Sequence, residues 1–460
     1  MPPICSNMLT PKLPMIERRH LLLAMLLLII VLYSNALTTP FQFDDYNVIV
    51  HANGVHSWTA WWADLGHGFR PLLKLTYTLD NLSGMGGPGF HVFNILLHLA
   101  NGWLVFALAY RALLLTGHER QALLVAVWTA LLFIAHPAHT EAVTYISGRS
   151  TSLMSFFYLA ALLLYARGRE RDDRLALYVY SPLLFACAVA SKETAVTLPL
   201  ALLLWEALPL PRLPWSGLWR KQVMHWGVFL LLAVALLMQE RYWEMMAFSV
   251  NLNSLSENFY TQLHAMTYLL GQLLLPWGMN IDPDIPVRHS FLSVLPDILL
   301  WAALLALVWW QARRERMWFF AVAWLALQLF PLYVFLPRLD VANDRQLYLA
   351  DWPVLLLLVL VVASLFTQAR TRNAVMILVL MFCADNTILR NQDYLSEIAL
   401  WQATVRASPN KARPQNNLGY AYFLSGREAE AEIAYREALR LDKNYWRAEN
   451  NLIRLHENRQ

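Results

Sequence analysis

Two adjacent carboxylates, Asp44 and Asp45, follow the first long apolar run almost without a spacer. Carboxylates that close to hydrocarbon are costly unless they line a wet cavity or bind something, so their position points to function. A plainer role competes: either side chain could cap a short surface helix by accepting from its unpaired N–H groups. Cations recur in later polar stretches, Lys192 within Ser191-Lys192-Glu193, then Arg338 and Arg345 near Asp340, Asn343 and Asp344. One chemistry uses such a set with neither metal nor nucleotide. A carboxylate base removes a proton from an acceptor hydroxyl, while Arg and Lys neutralise the phosphate of a departing lipid carrier. Arg suits phosphate because its planar fork bonds two oxygens at once. Arg345, Lys192 and Arg338 are therefore expected at the carrier phosphate. Their plainer alternatives are an interfacial anchor for Arg338 and a hairpin-turn pair with Glu193 for Lys192.

A second group is expected to shape the acceptor cavity: His136, His139 and Glu141 in one short motif, Arg149 just after it, and Arg70 in the first long loop. The two His residues, three apart and close to Glu141, invite a zinc reading. Pro137 breaks the helix that would align them, and no H-E-x-x-H order is present. The expectation is a hydrogen-bonded turn and no metal.

The elements that must position these groups are helices in a membrane. Charged residues make up 15% of the chain and apolar ones 58%, far from the soluble norm. Cys5, Cys187 and Cys383 are scattered, so no disulfide framework or cysteine metal site follows. A net charge of +4 spread over loops fits a positive-inside topology and argues against nucleic acid. The apolar runs predict eleven spans, at 20–37, 90–110, 121–136, 151–166, 175–190, 194–208, 226–240, 294–311, 318–336, 353–369 and 373–388. Basic clusters such as Arg167/Arg169/Arg171/Arg174 and Arg313/Arg314/Arg316 then share one side, which sets the N-terminus inside with an uncleaved first helix. Residues 261–277 are read as re-entrant or interfacial, because a twelfth span would put the second cluster outside. The first outer loop, 39–89, and the C-terminus share the opposite side.

After residue 389 the chain turns polar, and a period of 34 appears: Asn416-Asn417-Leu418 returns as Asn450-Asn451-Leu452. Leu418, Gly419, Tyr422, Ala431, Tyr435 and Ala438 sit at the signature offsets of the tetratricopeptide repeat. One full repeat with partial neighbours falls short of the ~3 usually needed for independent stability. Residues 390–460 are therefore expected to lean on the membrane domain, 1–389, or on a protein partner.

At these residues the chain resembles a known family. Phe43-Asp44-Asp45, Phe69-Arg70-Pro71-Leu72, Gly89–His98, His136–Val143 with Gly148-Arg149, Ser191-Lys192-Glu193-Thr194, Asp344–Leu349 and the repeat at 416–452 run in its order. It is similar to the O-mannosyltransferases that join a multispanning domain to tetratricopeptide repeats, and to their bacterial relatives, within the GT-C glycosyltransferases. The resemblance implies an all-α GT-C-like membrane enzyme with no cofactor. It implies inverting transfer of a sugar from a polyprenyl-phosphate donor, such as polyprenyl-phosphate mannose, to a hydroxyl of a protein Ser/Thr or a surface glycan. It carries Asp44 and Asp45 over as the base and acceptor-positioning pair, and Arg345 and Lys192 as donor-phosphate contacts. The short repeat array and the continuation Ala350-Asp351-Trp352 depart from the family's pattern. Few cysteines and compact loops favour a bacterial inner membrane, with the repeat module in the periplasm. Two other functions compete. A catalytically inactive scaffold would recruit a partner through the repeat. A transporter would place charges mid-helix and show internal repeats, which 1–390 does not.

Overall fold

The computed structural model describes residues 15–65, 69–208, 215–240, 243–244, 247, 254–330 and 340–458. Among these residues the regular structure is helical, with no strand. The first half of the chain carries α1 (Met15–Tyr33), α2 (Pro71–Ser83), α3 (Gly87–Leu115), α4 (Ala122–Ala135), α5 (Arg149–Arg171), α6 (Ser181–Ser191), α7 (Leu198–Glu206) and α8 (Trp215–Leu237). The second half carries α9 (Leu255–Leu274), α10 (Leu295–Ala312), α11 (Arg316–Leu329), α12 (Trp352–Leu365) and α13 (Ala369–Asp393). Four more follow: α14 (Glu397–Ala407), α15 (Ala412–Leu424), α16 (Glu428–Leu441) and α17 (Trp446–Glu457).

Five described helical segments are long and apolar enough to cross a bilayer, or seven if two bent helix pairs are each one span. Eleven were expected; among the described residues 175–190, 194–208, 226–240 (which falls in α8 and just past it) and 318–336 are not candidates. The stretch 175–190 lies in one short apolar helix, Ala176–Ser191, whose second part is α6, and 194–208 holds α7, of 9 residues. At ~1.5 Å per residue neither can cross ~30 Å of hydrocarbon alone. The stretch 318–336 holds α11, a shorter apolar helix, and runs on past the described residues. Residues 261–277, read as non-spanning, fall largely in α9, which is not among the candidate spans.

The two bent pairs matter most. Ala122–Ala135 meets Pro137–Val143 at 51°, and Asp344–Ala350 meets Trp352–Leu365 at 67°. Proline explains both breaks. Pro137 removes a donor and clashes with the preceding turn, and Pro353 sits in the first turn of α12, where a helix can start but not continue. Each break frees backbone carbonyls that cannot be left bare in a low-dielectric interior. Side chains from other segments reach them. His139 Nδ1 donates to Phe133 O at 2.7 Å, His98 Nε2 to Ile134 O at 3.2 Å, and Thr387 Oγ1 to Ala135 O at 2.7 Å. At the second break Trp324 Nε1 donates to Leu349 O at 2.8 Å. His139 joins the two breaks, its Nε2 2.9 Å from Asp351 and its ring against Tyr348 at 4.6 Å.

Helices α14 to α17 pack in sequence beyond the last candidate span, and the 34-residue period has a structural counterpart. Asn451 donates to Asn416 across 3.0 Å, and Gly419 lies so close to the Tyr435 ring that a Cβ there would come within 2.7 Å of it. This module packs against the part of the chain that carries the candidate spans. Trp401 packs edge-on against Phe43 at 5.2 Å, and a buried cluster joins Leu400, Trp401, Leu418 and Ala421 to Tyr145, Ile281 and Tyr394. Ion pairs add to it: Arg413 reaches Asp282 at 2.5 Å and Asp340 at 2.6 Å, and Lys411 also pairs with Asp282.

Two glycines give a paired test. A Cβ at Gly148 would lie 2.0 Å from the Glu141 carbonyl oxygen, whereas one at Gly227 meets nothing within 4 Å. Gly148→Ala should lower stability by about 1–3 kcal/mol or more. Gly227→Ala, within a helix, should be neutral or stabilising by up to ~1 kcal/mol. Thermal unfolding of the purified variants in detergent checks both.

Candidate active site

The short limbs of the two broken spans carry Glu141 and Arg345, and they meet. Glu141, 1% exposed, accepts the Arg345 backbone N–H at 3.0 Å, and the guanidinium Nε lies 3.5 Å from its other oxygen. The first loop delivers the acidic pair to the same place. Phe43 takes a left-handed backbone (φ 47°), rare for a bulky residue, and its ring is seated on Trp401. The two carboxylates that follow have different surroundings.

Asp45 turns inward and is almost fully buried. Its Oδ1 accepts from the Ser147 N–H at 2.8 Å and from the Ser147 hydroxyl, and its Oδ2 accepts from the Gln42 N–H at 3.0 Å. It precedes the short helix Tyr46–Val50 but makes no capping bond to it, so the capping role is not taken up. Burial pushes its carboxyl up to about 7, against these hydrogen bonds, which favour the anion. Asp44 stays half-buried and faces a cleft, its backbone N–H donating to the Tyr145 hydroxyl at 3.0 Å. Burial raises its carboxyl above the ordinary range, with Arg345 pulling it back down and Asp340 pushing it up.

The cleft is lined by Asp44, Glu141, Tyr145, Asp340, Arg345 and Arg413, with Trp401 on its wall, and is closed down to about 10 Å³. That is room for roughly one water. Despite burial, Arg413 and Arg345 hold the Asp340 carboxyl below the ordinary range. The arrangement sets a carboxylate with a raised pKa beside a guanidinium in one partly dry recess. That pairing can accept a proton on one side and stabilise an anion on the other.

Along the sequence, 26% identity to the protein O-mannosyl-transferase F38B6.6 of Caenorhabditis elegans extends over 458 residues, 92% of this chain and 63% of the relative. The protein O-mannosyl-transferase TMTC4 of Mus musculus is 27% identical over an alignment of 481 positions, gaps included, that covers 88% of this chain and 64% of the relative. A shorter stretch of 183 residues is 37% identical to Tmtc1 of Drosophila melanogaster, covering 36% of this chain and 20% of that protein. The chain is similar to the TMTC protein O-mannosyl-transferases. It spans less than two thirds of the length of these curated relatives. No family model matches the chain, and no solved structure matches it.

Set against that resemblance, the expected residues divide. Asp44, Glu141 and Arg345 line the cleft together. Asp45 is one residue away and held off it by Ser147. Lys192 is nearly buried and donates to the Thr151 hydroxyl at 2.8 Å, outside the cleft lining. Arg70 forms a two-bond pair with Glu193, at 2.8 and 3.0 Å. Arg338 lies outside the described residues. His136 and His139 do not reach the cavity: His136 accepts from the Ala138 N–H at 3.3 Å and donates to Leu273 O at 3.1 Å, and His139 bridges the breaks. Among the described residues no three His, Cys, Asp or Glu gather as a metal site.

Arg149 is the clearest departure from the expected cavity. It is fully buried, pairs with Asp80 at 2.5 Å, donates to Asn94 Oδ1 at 2.6 Å and Phe90 O at 3.0 Å, and lies 4.5 Å from the Phe93 ring centroid. It clamps α2, α3 and α5 together. Among the cleft residues that sequence reasoning did not assign to the site are Tyr145, Asp282, Trp401 and Arg413. Tyr145 stood inside a matched motif, between Glu141 and Gly148, and that neighbourhood was its available signal.

Loss of the Arg149 side chain would strand the Asp80 carboxylate in the interior. Arg149→Ala should therefore cost about 3–5 kcal/mol in unfolding free energy, with partial recovery in the Arg149→Ala/Asp80→Ala double variant. A second test concerns Asp45. Its carboxyl titrates near 7 when folded and near 3.8 otherwise, so between those values the folded state holds a proton that the unfolded chain has released. Its contribution is present in full below the lower value and is lost as pH rises through the higher one. Detergent unfolding from pH 4 to 7 should show that decline, and Asp45→Asn should flatten it.

Proposed function

We propose that the chain is a membrane glycosyltransferase that moves a mannose-like sugar from a polyprenyl-phosphate carrier to a hydroxyl, with inversion and without a metal. The observation that carries this reading is the placement of Asp44 and Arg345 in one cleft at the mouth of two broken spans. Similarity to enzymes named protein O-mannosyl-transferases supports it. Asp44 acts as the base and takes the acceptor hydroxyl's proton. The acceptor oxygen then bonds to the anomeric carbon as the bond from that carbon to the carrier phosphate breaks, and the electron pair leaves with the phosphate. Arg345 neutralises that charge, oriented by Glu141. Asp45 positions Asp44 by pinning the loop to Ser147. Lys192 and Arg70 sit behind this set, and Arg70 is close enough to Arg345 for each guanidinium to feel the other's charge.

The cleft must widen to admit a sugar, and Trp401 and Arg413 are the wall best placed to move, since they belong to the C-terminal module. The repeat-like module serves as a wall of the active site. The acceptor is a protein Ser/Thr or a surface glycan, and the module is also open to a protein partner. Few cysteines and compact loops favour a bacterial inner membrane, and the bias of basic residues to the other side favours a cleft on its periplasmic face.

Transfer from polyprenyl-phosphate mannose by purified, reconstituted protein tests the proposal. Asp44→Asn should lose about 10²- to 10⁴-fold in rate while its thermal unfolding is unchanged. Arg345→Ala should raise the donor KM roughly tenfold or more and leave the acceptor KM nearly unaltered, and Arg345→Lys should not restore it. Full activity in Asp44→Asn would remove the proposed mechanism.

A further inference from the structure

A second and larger cavity, about 430 Å³, opens where α13 ends and α14 begins. Two guanidinium groups contribute to its lining, Arg390 from the last turn of α13 and Arg406 from the last turn of α14, with Asp393 as the only carboxylate among the lining residues. Asn386, Gln392 and Gln402 supply neutral polar groups. Arg390 is 5% exposed and is held in place by Asp393 at 2.8 Å, yet its Nε is buried without a hydrogen-bond partner. Such a donor costs free energy unless something accepts from it. Arg406 is solvent-exposed and has no ion-pair partner among the described residues.

The rim is of the opposite character. Leu275 and Trp277, 73% and 76% exposed, follow the end of α9 beside the lining residues Pro276 and Gly278. Leu389, half exposed, lies on the α13 side, and Pro137 and Met279 complete the apolar lining. Helix α13 is a candidate span, so this rim lies where its apolar stretch gives way to polar chain. A net-positive recess with exposed apolar residues at its edge matches an amphipathic anion, charged at one end and greasy at the other. Neither a soluble anion nor an uncharged lipid uses both halves. We propose that this crevice binds the phosphate headgroup of a membrane lipid, with Arg390 and Arg406 on the phosphate and Leu275, Trp277 and Leu389 along the start of the chains.

The proposal does not require the transfer reaction above, but the two cavities share a wall. The Tyr394 ring stacks on Tyr145, a cleft residue, at 6.4 Å, and carries the Arg390 guanidinium 5.1 Å from its centroid. Asp344, next to Arg345, lies 3.8 Å from Arg390. A lipid seated here would also tie α14 to α13, and so hold the module against the span.

Isothermal titration of the full chain in uncharged detergent distinguishes the sources of phosphate. The ligands are short-chain phosphatidylglycerol, diacylglycerol with the same chains, and inorganic phosphate. Phosphatidylglycerol is expected to bind about tenfold or more tighter than either of the others. Arg406→Ala should weaken it by about tenfold. Arg436→Ala, an exposed charge on α16 outside the crevice, should leave it unchanged. Equal binding of diacylglycerol, equal loss in the two variants, or inorganic phosphate binding as tightly as the lipid would each overturn the assignment.

Discussion

Everything at the centre of this molecule depends on a requirement of low-dielectric interiors: a broken helix must have its freed carbonyls satisfied by side chains. Two proline-directed breaks create that demand at neighbouring points. His98, His139, Thr387 and Trp324 meet it, each from a different segment. The breaks in turn create the short limbs that bring Glu141 and Arg345 together. The histidines that a motif reading assigns to a cavity thus act one layer further back. They hold the breaks open so that a carboxylate and a guanidinium can face a common recess.

The buried charges follow the same economy. Arg149 with Asp80, Arg169 with Glu206, Arg345 with Glu141 and Arg390 with Asp393 each join a cation to a carboxylate in or near the helical core. Bare ions would be prohibitively costly there, and paired ones gain little net stability against apolar replacements. Their value is placement: the first three pairs each fix two segments at one distance, and Asp393 sets the Arg390 side chain within α13. Asp44 and Asp45 divide this labour within two residues. One is consumed by hydrogen bonds that locate the loop, and the other is left beside Arg345 to face the cleft.

Much of this was legible in the residues. The position of Asp44 just past the first apolar run, the turn motif containing Glu141, and the later stretch containing Arg345 all point to one recess, and the structure brings those three together. The 34-residue period foretells the close approach of Gly419 to Tyr435 and the bond between Asn416 and Asn451. Other features were not legible, for definite reasons. A cation beside a motif looks the same whether it faces water or a buried acid, so Arg149 reads as a cavity residue although Asp80 holds it inside. Hydropathy counts apolar residues without seeing a fold, so 175–190 and 194–208 read as spans although the helices they form are too short to cross. Arg413 joins the cleft through Asp282 and Asp340, partners far away in sequence, and no local pattern announces such a contact.

The contribution of Trp401 and Arg413 to the cleft has a consequence for biosynthesis. Every other group lining it is translated earlier, so the recess stays without one wall while the helices are being threaded into the bilayer. A nascent chain arrested before residue 401 would present its acidic loop to open water, where neither Phe43 nor Asp340 has its counterpart. The recess therefore closes with the arrival of α14 and α15 rather than with insertion of the spans, and the wet, half-built intermediate is the stage most open to quality-control proteases.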